Sequence, residues 1–102
     1  EPMPEGKFPL GKLVATPGAL KALGDGADLE TMLKAYETIG KLVHRHWTGD
    51  WGELTDEDRY ENECSLREGF RLLSAYTVDE VKVWVITEAD RSVTTVLLPE
   101  EY

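Results

Sequence analysis

The segment His44–Gly52 (HRHWTGDWG) holds the richest chemistry in the chain. Two histidines near an aspartate suggest a base paired with a carboxylate, so His44, His46 and Asp50 are candidates for general acid–base catalysis. On a helix, residues two apart point roughly 200° away from each other, which stops His44 and His46 from gripping one metal ion. With Cys64 the only cysteine and no third histidine, a closed zinc site would need carboxylates, and no metal site is expected. The spacing also sets His46 near the apolar side of its helix, the place of a hydrogen-bonded core histidine. Asp50, flanked by Gly49 and Gly52, has the setting of an Asx turn whose carboxylate binds nearby N–H groups.

A second segment, Thr87–Thr95 (TEADRSVTT), places Arg91 among hydroxyls. Arg91 could stabilise an anionic transition state while Thr94 orients a phosphate. The plainer reading is a β-turn with Asp90 capping it and Arg91 on its surface. A third feature is an acidic run in which Glu53, Asp56, Glu57, Asp58, Glu61 and Glu63 face one base, Arg59. Such a run is usually a solvated helix face, and its sharper reading is a docking surface for a basic partner. On that reading Glu57, Asp58 and Glu61 are the binding candidates, joined by Trp51, otherwise a core or lid residue, and by Asp90.

Charge narrows the classes of function. The 102 residues have a net charge of -9. Residues 1–54 carry eight acids and six bases, against twelve acids and five bases in 55–102. No basic cluster exists, which opposes direct binding to nucleic acid or to an anionic membrane. No apolar run approaches the roughly 20 residues that cross a bilayer. A lone cysteine excludes an internal disulfide, no leader is visible, and a cytoplasmic location is expected. No cofactor motif is present and none is expected.

These residues need elements to hold them, and the patterns give a single α+β domain over 1–102. Residues 1–9 read as an irregular lead-in, and Leu10 to Ala15 as a short strand. Thr16 and Pro17 open a helix that Gly24 and Gly26 end. Asp28 caps the longest helix, Leu29 to Trp47, in which Leu29, Met32, Leu33, Tyr36, Ile39 and Val43 form an amphipathic stripe. Gly40 within it is expected to permit close packing. Thr55 caps a third helix, acidic in its first turn and ended by Gly69. Strands follow at Phe70–Thr77, Val81–Glu88 and Ser92–Leu98, joined by turns short enough to make them antiparallel. The expected architecture is N-terminal helices packed on a three-stranded antiparallel sheet, with the first strand as a candidate fourth. Exposure of Ser92–Leu98 would allow a homodimer through its edge.

The phrases LGKLVATPGAL, GDWG, GFRLLSAY and ITEADRSVTTVLLPEEY resemble a family of short bacterial proteins labelled plasmid-related or, in places, restriction-system subunit. The segment TMLKAYETIGKLV is less typical of that family. The resemblance implies a bacterial, cytoplasmic, mobile-element setting and no particular activity. These residues include neither the glycine-rich loop nor the catalytic tetrad of a methyltransferase.

Two functions of different class follow. One is a non-enzymatic module that binds a protein partner, basic or itself nucleic-acid-binding, such as a defence or host factor. The alternative is a small ribonuclease- or toxin-like enzyme using His44 or His46 with Arg91, a reading by fold analogy.

Overall fold

A computed structural model describes residues 6–24 and 28–102; the first five positions of the lead-in and Gly26 lie outside the described residues. Strand β1 (Lys12–Ala15) leads into helix α1 (Pro17–Gly24), and α2 (Leu29–Trp47) and α3 (Asp56–Glu68) follow. Strands β2 (Leu72–Val78), β3 (Val81–Thr87) and β4 (Val93–Leu97) then run to a final 3-10 turn at Pro99–Glu101. Helix starts follow the capping chemistry. Asp28 accepts from the Thr31 N–H at 2.8 Å, and Thr55 accepts from the Asp58 N–H at 3.1 Å. Gly69 closes α3 in the left-handed region at φ 82°, a position that suits glycine.

The sheet order is β1-β4-β3-β2. Strands β2, β3 and β4 are antiparallel, as their short turns require. The first strand does join the sheet, but parallel to β4, with Leu13 opposite Thr94. The sheet is therefore mixed rather than antiparallel throughout. Three helices intervene between β1 and its partner, so no turn dictates their relative direction. The last strand consequently lies inside the sheet, and the edges are β1 and β2.

The edge of β2 is covered. Asn62 on α3 donates to the Leu73 carbonyl at 2.7 Å and accepts from the Leu73 N–H at 3.2 Å, imitating a neighbouring strand. Next along, Ala75 bonds to the Trp51 carbonyl and the Glu53 N–H. These contacts occupy the groups that would otherwise template another strand.

The helical face of the sheet holds the main core, where Tyr76, Val83, Val85 and Val96 pack against Ala19, Leu42 and Val43. A second cluster joins Phe8, Trp51 and Leu72, so the irregular lead-in still supplies a core residue. The stripe on α2 divides. Its buried residues are Ala35, Leu42, Val43 and His46, whereas Leu29, Met32, Leu33 and Tyr36 are exposed. Ala35 lies beneath Gly24 of α1, whose small size allows the two helices to touch. The expected inward face of the N-terminal half of α2 is thus its outer face.

Candidate functional site

His46 enters the interior from the last turn of α2 and is 0% exposed. Phe8 and Trp51 box its ring edge-on, at centroid distances of 5.2 and 5.8 Å. Its Nδ1 lies 2.6 Å from Ser74 Oγ on β2, and its Nε2 lies 2.9 Å from Thr87 Oγ1 on β3. Thr87 Oγ1 is 2.7 Å from Thr94 Oγ1 on β4, which donates to the Leu10 carbonyl at 2.7 Å.

The directions of these bonds follow from the last one. A carbonyl only accepts, so the Thr94 proton is committed to Leu10. Thr94 must then accept from Thr87, and Thr87, its own proton spent, must accept from His46. The imidazole therefore carries hydrogen on Nε2, and Ser74 donates to Nδ1. Every group in the chain is satisfied by a neutral ring. Burial, aided by the positive charge of Arg91, lowers the His46 pKa from 6.5 to about 3.

A serine beside a histidine resembles an activated nucleophile, but here the geometry serves packing. The Ser74 proton points at the imidazole, yet the third group is a threonine hydroxyl, which cannot stabilise an imidazolium as a carboxylate does. Ser74, Thr87 and Thr94 are each 0% exposed, so no substrate reaches them.

His44 lies about 200° around the helix, exposed and edge-on to Trp47 at 6.0 Å. Asp50 closes an Asx turn on the Gly52 N–H at 3.2 Å and takes the Arg45 Nε at 2.7 Å. The Arg45 guanidinium holds its carboxyl below the usual carboxylate range. Arg45 also lies 4.5 Å over the Tyr76 ring, whose hydroxyl donates to the Asp50 carbonyl at 2.6 Å. Burial pushes that phenol up to about 12.

Arg91 is committed to backbone. Its Nη1 donates to the carbonyls of Phe70, Glu88 and Ala89, and its Nη2 to that of Ser65. The guanidinium thereby fastens the end of α3 to the β3–β4 turn. Asp90 caps the same turn by accepting from the Ser92 N–H at 3.0 Å. Trp51 is buried and donates to Glu63 at 2.9 Å. Thus His46 and Thr94 meet within one buried chain, Arg91 approaches it as a structural clamp, and His44 and Asp50 face other surroundings. Sequence reasoning missed Ser74 and Thr87. The available signal was a hydroxyl at each of two inward-facing strand positions, Ser74 between Leu72 and Tyr76 and Thr87 after Val83 and Val85.

The acidic candidates Glu57, Asp58 and Glu61 are all exposed around a shallow hollow that also takes in Asp56 and Tyr60. Arg59, the base in their midst, is turned onto the carbonyls of Leu54 and Gly52. Its charge is held at the N-terminal end of α3 and leaves the acids on the outer face without an ion pair among the described residues. No group of three or more metal-binding side chains converges among the described residues, and no described helix is long and apolar enough to cross a membrane.

No family model, curated protein or solved structure matches this chain.

Proposed function

We propose that this protein is a non-enzymatic binding module whose acidic third helix docks on a basic protein partner. The observation that carries the reading is that Arg59 turns onto backbone carbonyls and makes no ion pair with its neighbours among the described residues. This leaves the exposed Asp56, Glu57, Asp58 and Glu61 as an anionic face with one base beside four acids. Tyr60, 66% exposed, stands among them and offers the aromatic contact that interfaces favour. Acids placed this way steer a cationic surface toward the helix before contact. Such a partner includes a nucleic-acid-binding protein whose basic surface the helix would occupy. The resemblance of its motifs to plasmid-related bacterial proteins would add a setting, in which the partner is a host or defence factor met by a mobile element. The ribonuclease alternative, which uses His44 or His46 with Arg91, draws less support. His46 and Thr94 are buried in hydrogen bonds, Arg91 is held by backbone carbonyls, and the exposed His44 points about 200° around the helix from His46.

The test is capture from a bacterial host lysate with the wild-type chain and with Glu57, Asp58 and Glu61 all replaced by Lys. A partner held by the acidic face should be lost from the triple variant and should elute from wild type at raised salt. Retention by the triple variant would rule out this face.

A further inference from the structure

The outer face of α2 is apolar without being covered. Leu29, Met32, Leu33 and Tyr36 are 69%, 42%, 58% and 52% exposed, and on β1 Leu13 is 55% exposed. Between α2 and β1 runs a hollow of about 430 Å³ lined by Leu13, Val14, Tyr36, Gly40, Val43 and Trp47. This half of the surface is the electrically quieter one, because the excess of acids lies in residues 55–102.

We infer that this face binds a second copy of the same chain, with the two α2 helices packed antiparallel about a two-fold axis between Ala35 and Tyr36. The charge pattern beside the apolar stripe selects this occupant. Glu30, Lys34, Glu37 and Lys41 are exposed along one flank, and none makes an ion pair within the chain among the described residues. In an antiparallel pair each flank lies beside the same flank of the other helix. An axis at that point exchanges position 30 with 41 and position 34 with 37. Every glutamate then faces a lysine, four times across the interface, and a shift of the axis by one turn keeps at most two of those four contacts. Self-complementarity of one patch is what a two-fold dimer requires.

The apolar surface has the same two-part character. The N-terminal half of α2 presents projecting side chains, and the C-terminal half borders the hollow. The axis carries Leu29 and Met32 of the second copy over the hollow of the first, and does so twice. Gly40 belongs to this arrangement. A glycine inside a helix costs about 1 kcal/mol relative to alanine, and a Cβ there would meet nothing within 4 Å in its own chain. No intramolecular packing accounts for it. As a notch in the exposed stripe, next to the position exchanged with Met32, it admits the second helix at close range.

Sedimentation equilibrium across micromolar concentrations tests the proposal, with circular dichroism confirming that each variant remains folded. Wild type is expected to sediment at twice the monomer mass. Lys41→Glu puts like charges opposite each other at two symmetric points and should weaken association about tenfold, as should Glu30→Lys. The double exchange Glu30→Lys with Lys41→Glu restores both contacts across the axis while breaking the pairs available within each helix, and should return association close to wild type. Leu33→Arg changes an exposed residue and should give a folded monomer. A wild-type monomer at every concentration overturns the proposal. So does association that survives Leu33→Arg, or that Lys41→Glu leaves as strong as wild type, which would locate the contact elsewhere, such as the open edge of β1. A double exchange as weak as either single change also overturns it. None of these outcomes bears on the acidic third helix.

Discussion

At His46 the physics reduces to where one proton can reside. The ring is neutral in the folded protein because the hydroxyl chain from Ser74 to Leu10 is fully satisfied without a charge. Its pKa stands at about 3 when folded and near 6.5 when unfolded. Between those values the unfolded chain binds the extra proton, so stability rises with pH across the window. The contribution is complete above pH 6.5 and is lost as pH falls toward 3. From pH 7 to pH 5 this single group should remove about 2 kcal/mol of unfolding free energy. Asp28, Asp50, Asp90 and Glu101 are also held below their ordinary values. Their contribution is present at high pH and disappears only under more acid conditions, so it does not blur the interval. Urea denaturation at the two pH values measures the fall, and an unchanged free energy would show that the folded ring accepts a proton. The interior position of His46 was readable from its place on the helix. Its partners were not, since Ser74 and Thr87 lie far along the chain and only sheet register brings them to the ring.

Elements with local causes were legible in the residues, and elements with distant causes were not. Asp28 and Thr55 announced helix starts through a side chain that bonds three residues away, which is a local event. The turn Asp79–Glu80 was equally local, and the hairpin it makes closes on the Val78–Val81 pair. By contrast, the direction of β1 depends on a pairing with a strand some eighty residues on. The apolar stripe of α2 misled for a related reason, because periodicity identifies an apolar face without saying whether this chain or another covers it. The turn carries a testable cost. Asp79 and Glu80 take φ of 49° and 69°, the left-handed pair that matches strand twist and favours Asn-Gly or Asp-Gly. A residue with a Cβ pays roughly 1–2 kcal/mol there. Glu80→Gly should therefore stabilise the protein by about 1 kcal/mol, and thermal unfolding should show a higher midpoint. A lower midpoint would mean that the side chain of Glu80 contributes more than its backbone strain costs.

For the whole molecule the controlling quantity is the distribution of charge over a thin body. The fold measures 42 × 36 × 20 Å, so few charges are far from the others. Folding brings the twelve acids of residues 55–102 together with only five bases, and two of those bases, Arg59 and Arg91, are drawn onto carbonyls. The compact state therefore bears more self-repulsion than the expanded chain. Among the described residues two surface ion pairs, Arg45–Asp50 and Lys82–Glu53, act in the opposite sense. Exposed pairs contribute little, about 0–1 kcal/mol each. Repulsion should dominate, and screening should then stabilise the fold. Raising ionic strength from about 0.01 M to about 0.15 M shortens the screening length from ~30 Å to ~8 Å, from more than the thickness of the molecule to less than half of it. The unfolding free energy at neutral pH should rise by about 1 kcal/mol over that range. The comparison belongs at one low protein concentration, since association of folded chains would itself add stability. A fall in stability with salt would mean that the ion pairs outweigh the acidic excess, and that the third helix is less repulsive than its composition implies.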